Sequence, residues 1–109
     1  MHSLAMTEYD RMKSVLVPIL EGWGFRQVEE RLEPDVFGSA YTQFSSGGLS
    51  YRIVWDGKDG CGYIQSYDDG EWVNLKASAP EARPNEFEEF LAQMSAVLTE
   101  HKAMGRPHA

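Results

Sequence analysis

Between residues 50 and 77, apolar and polar side chains alternate in three runs separated by turns rich in glycine and aspartate. This is the period-two pattern of β-strands. In 50–55, Tyr51, Ile53 and Trp55 point one way, and Arg52 and Val54 the other. Asp56-Gly57-Lys58-Asp59-Gly60 forms the first turn, with glycines for positive φ and aspartates for local backbone bonding. The pattern resumes over 61–67. Asp68-Asp69-Gly70 then fits a three-residue hairpin loop with Gly70 left-handed, and Glu71–Ala77 makes the third strand.

With loops at 56–60 and 68–70, Trp55 faces Cys61 and Tyr67 faces Glu71. One face then carries Tyr51, Ile53, Trp55, Cys61, Tyr63, Val73, Leu75 and Ala77; as the more apolar, it is the expected core face. The other carries Arg52, Val54, Gly62, Ile64, Ser66, Trp72, Asn74 and Lys76. A slip of one residue exchanges the two faces of a strand. A two-residue turn at Asp69-Gly70 would invert the last strand against its neighbour.

Upstream, 38–44 reads as another strand, followed by Ser45-Ser46-Gly47-Gly48. With those four as the loop, Phe44 faces Leu49 and Tyr41 faces Arg52. Ala40, Thr42 and Phe44 then join the core face, and Tyr41 and Gln43 the opposite one. Segment 25–32 is out of phase with simple alternation and reads as an irregular edge strand. The acids Glu29, Glu30, Glu33 and Asp35, broken by Pro34, suit a solvated edge.

The flanks are helical. Thr7 can cap a helix whose stripe is Tyr9, Met12, Leu16, Ile19 and Leu20, widened by Val15 and Trp23. Pro18 predicts a kink or a second segment starting near Val17. Gly22 and Gly24 supply the stop. After the proline-bounded connection 79–84, Asn85 and Glu88 resemble a capping box. Phe87, Phe90, Leu91, Met94, Val97 and Leu98 follow at helical spacing, and Gly105 ends the helix before a loose tail at 106–109. The fold class expected is α+β: an antiparallel four- to five-stranded meander sheet flanked by an N-terminal and a C-terminal helix. It forms a single domain over 1–109, with loose ends at about 1–6 and 105–109.

Composition changes little in that picture and excludes several functions. The 109 residues, 42% hydrophobic and 12% aromatic, suffice for a core without disulfides or metal. The net charge of −7, from 17 acids against 10 bases, argues against nucleic acid and suits either plain solubility or a basic partner. The lone cysteine, Cys61, cannot form an internal disulfide and reads as small core filler. No leader or membrane-spanning run is visible, so the expected location is cytoplasmic and no membrane contact is expected.

Chemistry is sparse. His2, His101 and His108 have no second histidine or cysteine at metal-ligand spacing. The Asp56–Gly60 turn differs from a calcium loop in carrying Lys58 at a ligand position. Phosphate-binding glycine motifs, nucleophile elbows and cysteine–histidine pairs are missing. The expectation is a non-enzymatic protein with no cofactor.

The non-core sheet face is the better candidate. On these registers Tyr41, Arg52, Ile64 and Asn74 form one cross-strand row, and Gln43, Ser50, Ser66 and Trp72 the next. Aromatics, an arginine and amides are the residue types of binding hot spots, which makes Tyr41, Arg52, Ile64, Trp72 and Asn74 the candidate partner-binding residues. Three uses of the face stand side by side: a protein partner, packing beneath one of the helices, or a homodimer. The stretches VPILEGWGF, FGSAYTQF and YRIVWDGKDGCGYIQ resemble small, mostly uncharacterised bacterial proteins. The helix–meander–helix layout also resembles toxin-immunity proteins. That resemblance implies stoichiometric inhibition of a toxin. Small acidic type III secretion chaperones differ in placing a helix within the sheet sequence. The alternative function is a small-ligand binder or minor enzyme with a pocket between sheet and helices, containing Tyr51, Cys61, Tyr63 or Gln65.

Overall fold

The structure, a computed structural model, describes residues 7–104. The ends at 1–6 and 105–109, including the Gly105 stop and the tail, lie outside the described residues. The chain runs α1 (Glu8–Gly22), β1 (Arg26–Glu33), β2 (Ser39–Ser46), β3 (Leu49–Asp56), β4 (Cys61–Asp68), β5 (Glu71–Ala77) and α2 (Pro84–Met104). Its five strands form one antiparallel sheet in sequence order. The architecture is the expected α+β meander with a helix at each end.

α1 begins as Thr7 predicts. Thr7 Oγ1 accepts from the Asp10 N–H at 3.0 Å, and the Asp10 carboxylate accepts from the Thr7 N–H at 3.4 Å. At the other end Phe25 N–H donates to the Leu20 carbonyl and Gly24 N–H to the Glu21 carbonyl, with Gly24 at φ 89°. Those bonds satisfy two orphan carbonyls. Pro18 does not divide the helix, contrary to the expected second segment. Both Pro18 and Ser14 are exposed, so the carbonyl that Pro18 leaves without a donor sits on the solvated side. α2 starts before Asn85. Pro84 takes the first helical position, where its fixed φ fits and no N–H is needed. Glu86 rather than Glu88 closes the cap, accepting from the Arg83 N–H at 2.8 Å.

Both helices pack on one face of the sheet. Met12, Leu16 and Leu20 of α1, Phe90, Met94 and Leu98 of α2, and Phe44, Tyr51, Ile53 and Ile64 of the sheet belong to one buried cluster. Each such side chain removed from water contributes roughly 1.5–3 kcal/mol. Gly62 sets how closely α1 approaches, because a Cβ there would lie 2.6 Å from Met12 Sδ.

The turns fix registers that differ from expectation. Gly47-Gly48 is a two-residue turn with φ of 53° and 91°, a twist that suits adjacent strands. Phe44 therefore pairs with Tyr51 and Tyr41 with Val54, not with Leu49 and Arg52. The shift is two residues, so Ala40, Thr42 and Phe44 still face the core. The next loop has one residue fewer than expected. Asp56 joins the strand and pairs with Cys61, while its carboxylate accepts from the N–H groups of Lys58 and Asp59 at 3.0 and 3.1 Å.

That single-residue slip turns β4 over. Gly62, Ile64 and Ser66 face the helices; Cys61, Tyr63 and Gln65 face away. Asp69-Gly70 is itself a two-residue turn, with φ of 51° and 86°, and reverses β5 again. The two reversals cancel, leaving Trp72 and Asn74 on the non-core face as expected. A bulge at Leu75 then exchanges the last positions, so Lys76 pairs with Ile64 and Ala77 with Tyr63.

Segment 25–32 supplies the fifth strand, β1. Its register shifts between Gln27 and Glu29, leaving Val28 as an extra residue, and this bulge is what breaks the alternation.

Candidate protein-docking face

Among the described residues no helix covers the second face of the sheet. Cross-strand pairing lays one row across all five strands: Glu29, Gln43, Arg52, Gln65 and Asn74. The Arg52 Nε–H donates to Gln43 Oε1 at 3.3 Å, and Gln65 Nε2–H donates to Asn74 Oδ1 at 2.8 Å. Aromatic rings flank the polar row, with Tyr41 and Tyr63 on one side and Tyr67 and Trp72 on the other.

Arg52 is the centre of this surface. Its guanidinium carbon lies 4.2 Å from the Tyr41 ring centroid and 4.3 Å from that of Trp72. Tyr41 stands on β2 and Trp72 on β5, so the β3 arginine is held between them. The negative faces of both rings attract the cation, each by about 0.5–1 kcal/mol at an exposed site. Trp72 in turn meets Tyr67 edge-on at 5.1 Å, and the Tyr41 hydroxyl donates to Glu29 at 2.8 Å. The ion pairs among the described residues are Arg11–Glu88, Lys13–Glu30, Arg31–Glu33 and His101–Asp68; Arg52 has none. By strand parity Arg26, Arg31 and Arg52 share the face with Glu29, Glu33 and Asp56. The face is therefore charge-balanced on a chain of net charge −7.

Of the residues expected to bind a partner, Tyr41, Arg52, Trp72 and Asn74 lie on this surface. Ile64 does not: it is 0% exposed and packs against the helices. The expected rows Tyr41–Arg52–Ile64–Asn74 and Gln43–Ser50–Ser66–Trp72 do not form, because β4 is reversed and Ser66 also faces inward. Gln65 takes the place of Ile64, and Tyr63 and Tyr67 join the surface unforeseen. Treating Asp69-Gly70 as a two-residue turn and counting back from Trp72 would have placed all three.

Two polar networks lie on the helix side. Lys13 Nζ, the Tyr9 hydroxyl and Thr42 Oγ1 all donate to Glu30 Oε2, at 2.6, 2.8 and 3.2 Å. The Lys13 bond is the main cause that holds the Glu30 carboxyl below its ordinary range. The Tyr51 hydroxyl meets His101 Nδ1 at 2.9 Å, and Ser66 Oγ donates to Asp68 at 2.8 Å. Burial, followed by the Asp68 charge, pushes Tyr51 up to about 12. Tyr51 is wholly buried, and its bond to His101 ties α2 to the sheet.

Cys61 is buried but lies outside the main core, on the reversed face of β4, where its thiol donates to the Tyr63 hydroxyl at 3.3 Å. Two grooves beside α1, of about 240 and 480 Å³, are lined by residues such as Arg11, Trp55 and Phe87, and Leu32, Phe37 and Trp55. Neither contains Tyr51, Cys61, Tyr63 or Gln65. Among the described residues no three His, Cys, Asp or Glu side chains gather to hold a metal ion, and no helix is long and apolar enough to cross a membrane. No protein-family model matches the chain, and no solved structure gives a significant match to it.

Proposed function

We propose that this chain is a non-enzymatic protein-binding module, of the toxin-immunity type, whose partner docks on the uncovered sheet face. The observation that carries the reading is Arg52 held between Tyr41 and Trp72 on a surface free of either helix. Arginine, tryptophan and tyrosine supply most of the energy in protein interfaces, and they do so when clustered near the centre of the patch. The net charge of −7 favours a basic partner through long-range steering. The lone Cys61 is in keeping with a reducing, cytoplasmic setting.

The small-ligand alternative has less support, since the two grooves described beside α1 are open and contain none of Tyr51, Cys61, Tyr63 and Gln65. A homodimer through the same face has one observation in its favour, the equal number of acids and arginines there.

Capture from native lysate tests the proposal. Wild-type chain retains one stoichiometric partner, whereas Arg52→Glu and Trp72→Ala lose it while staying folded. Undiminished capture by both variants contradicts the face; mass doubling of the chain alone identifies the partner as a second copy.

A further inference from the structure

We infer that the in-plane edge of the Arg52 guanidinium receives an aspartate or glutamate side chain of the docked protein. This rests on the docking-face reading and names the group that the face anchors.

A guanidinium presents five N–H donors in a planar fork that matches a carboxylate. Among the described residues only Nε of Arg52 has an acceptor, Gln43 Oε1, and no carboxylate stands within ion-pair distance. The Tyr41 and Trp72 rings, 4.2 and 4.3 Å from the guanidinium carbon, flank it from β2 and β5. An anion is thereby confined to the edge, where the Nη donors point. The rings also displace water, so an ion pair formed there is screened less than one on bare surface. The fork is oriented before the partner arrives, which lowers the ordering cost of binding.

Glu29, the acid of the same row, does not fill this role. Its carboxylate accepts from the Tyr41 hydroxyl at 2.8 Å, and β2 lies between its strand and that of Arg52. Capture of a chain-terminal carboxylate uses a nest of converging backbone N–H groups. Here the surface is a paired sheet whose central N–H groups are already engaged, so the occupant is a side chain on a folded surface.

The test is an NMR titration of the full chain that follows the Arg52 Nε–H and Trp72 indole N–H signals. Three probes are compared at matched ionic strength: acetyl-Gly-Glu-Gly-amide, its glutamine counterpart, and acetyl-Gly-Gln-Gly with a free carboxyl end. The glutamate probe should shift both signals saturably, the glutamine probe should not, and the free-ended probe should act several-fold more weakly. The exposed Arg83 should stay still. Arg52→Lys, which keeps the charge but not the fork, should lose most of the Trp72 shift with its backbone spectrum unchanged. Equal response to glutamate and glutamine probes, equal response at Arg52 and Arg83, or a dominant effect of the free-ended probe would overturn the inference. Loss of capture by Trp72→Ala would still support the docking face in that event, so the two readings fail separately.

Discussion

Arg52 and Trp72 stand on β3 and β5 with β4 between them, yet the arginine's guanidinium carbon lies 4.3 Å from the tryptophan ring centroid. Gln65 pairs with Arg52 and turns its amide toward Asn74, which leaves the diagonal path from Arg52 to Trp72 open across β4. Arg52→Ala and Trp72→Ala should each cost about 1 kcal/mol or less, as befits a half-exposed pair, with a coupling of about 0.5–1 kcal/mol in a double-mutant cycle. Denaturant unfolding of the four proteins measures it. Strict additivity would show that the stack is not kept in solution.

Ile64 and Asn74 separate the two faces of the sheet. Ile64→Ala removes a wholly buried side chain and should destabilise by about 2–5 kcal/mol. Asn74→Ala, at an exposed position, should fall within about 0.5 kcal/mol of wild type. The reverse ranking would restore the register in which Ile64 faces solvent.

Gly62 is where α1 rests on bare backbone. Gly62→Ala would bring a methyl within 2.6 Å of Met12 Sδ. The flexible methionine must move, at a cost of about 1–3 kcal/mol. Met12→Ala should then cost less in the Gly62→Ala background than alone, because the new methyl occupies part of the vacated space. Thermal or denaturant unfolding of the pair checks this; equal costs in both backgrounds would remove the contact.

Glu30 makes stability depend on acid pH. Its folded pKa lies below the ordinary value of 4.5, so the unfolded chain binds the proton more readily. The stabilisation is therefore present above that value and is lost as pH falls through the folded pKa. Glu30→Gln should flatten the stability profile in that window and cost about 1 kcal/mol at neutral pH, where the carboxylate–lysine attraction is partly screened by solvent. An unchanged slope in the variant would contradict the network.

Much of the fold was legible because its causes are local. Thr7 and Asp10 announce the first helix, the stripe from Phe87 to Leu98 the second, and alternation the central strands. The existence of β1 was legible as well, but not the bulge at Val28 that puts its apolar residues out of phase. The candidate face was legible only in part, because facing depends on the parity of loop lengths. Asp56 satisfies its loop through its side chain while its backbone stays in the strand, which alternation alone does not reveal. That one residue placed Ile64 on the wrong face. Trp72 and Asn74 were placed correctly only because the Asp69-Gly70 turn introduced a second reversal. Pro84 is the first residue of α2 and not the end of the connection before it, because proline is favoured both just outside a helix and at its start.

The most direct measurement of the central claim is oxidative footprinting of the chain alone and with its captured partner. Trp72 and Tyr67 should lose most of their labelling in the complex, whereas Phe37 and Met104, exposed at 71% and 76% away from the Arg52 cluster, should label as in the free chain. Protection of Phe37 or Met104, with Trp72 and Tyr67 labelled at their free rates, would contradict docking on the open sheet face.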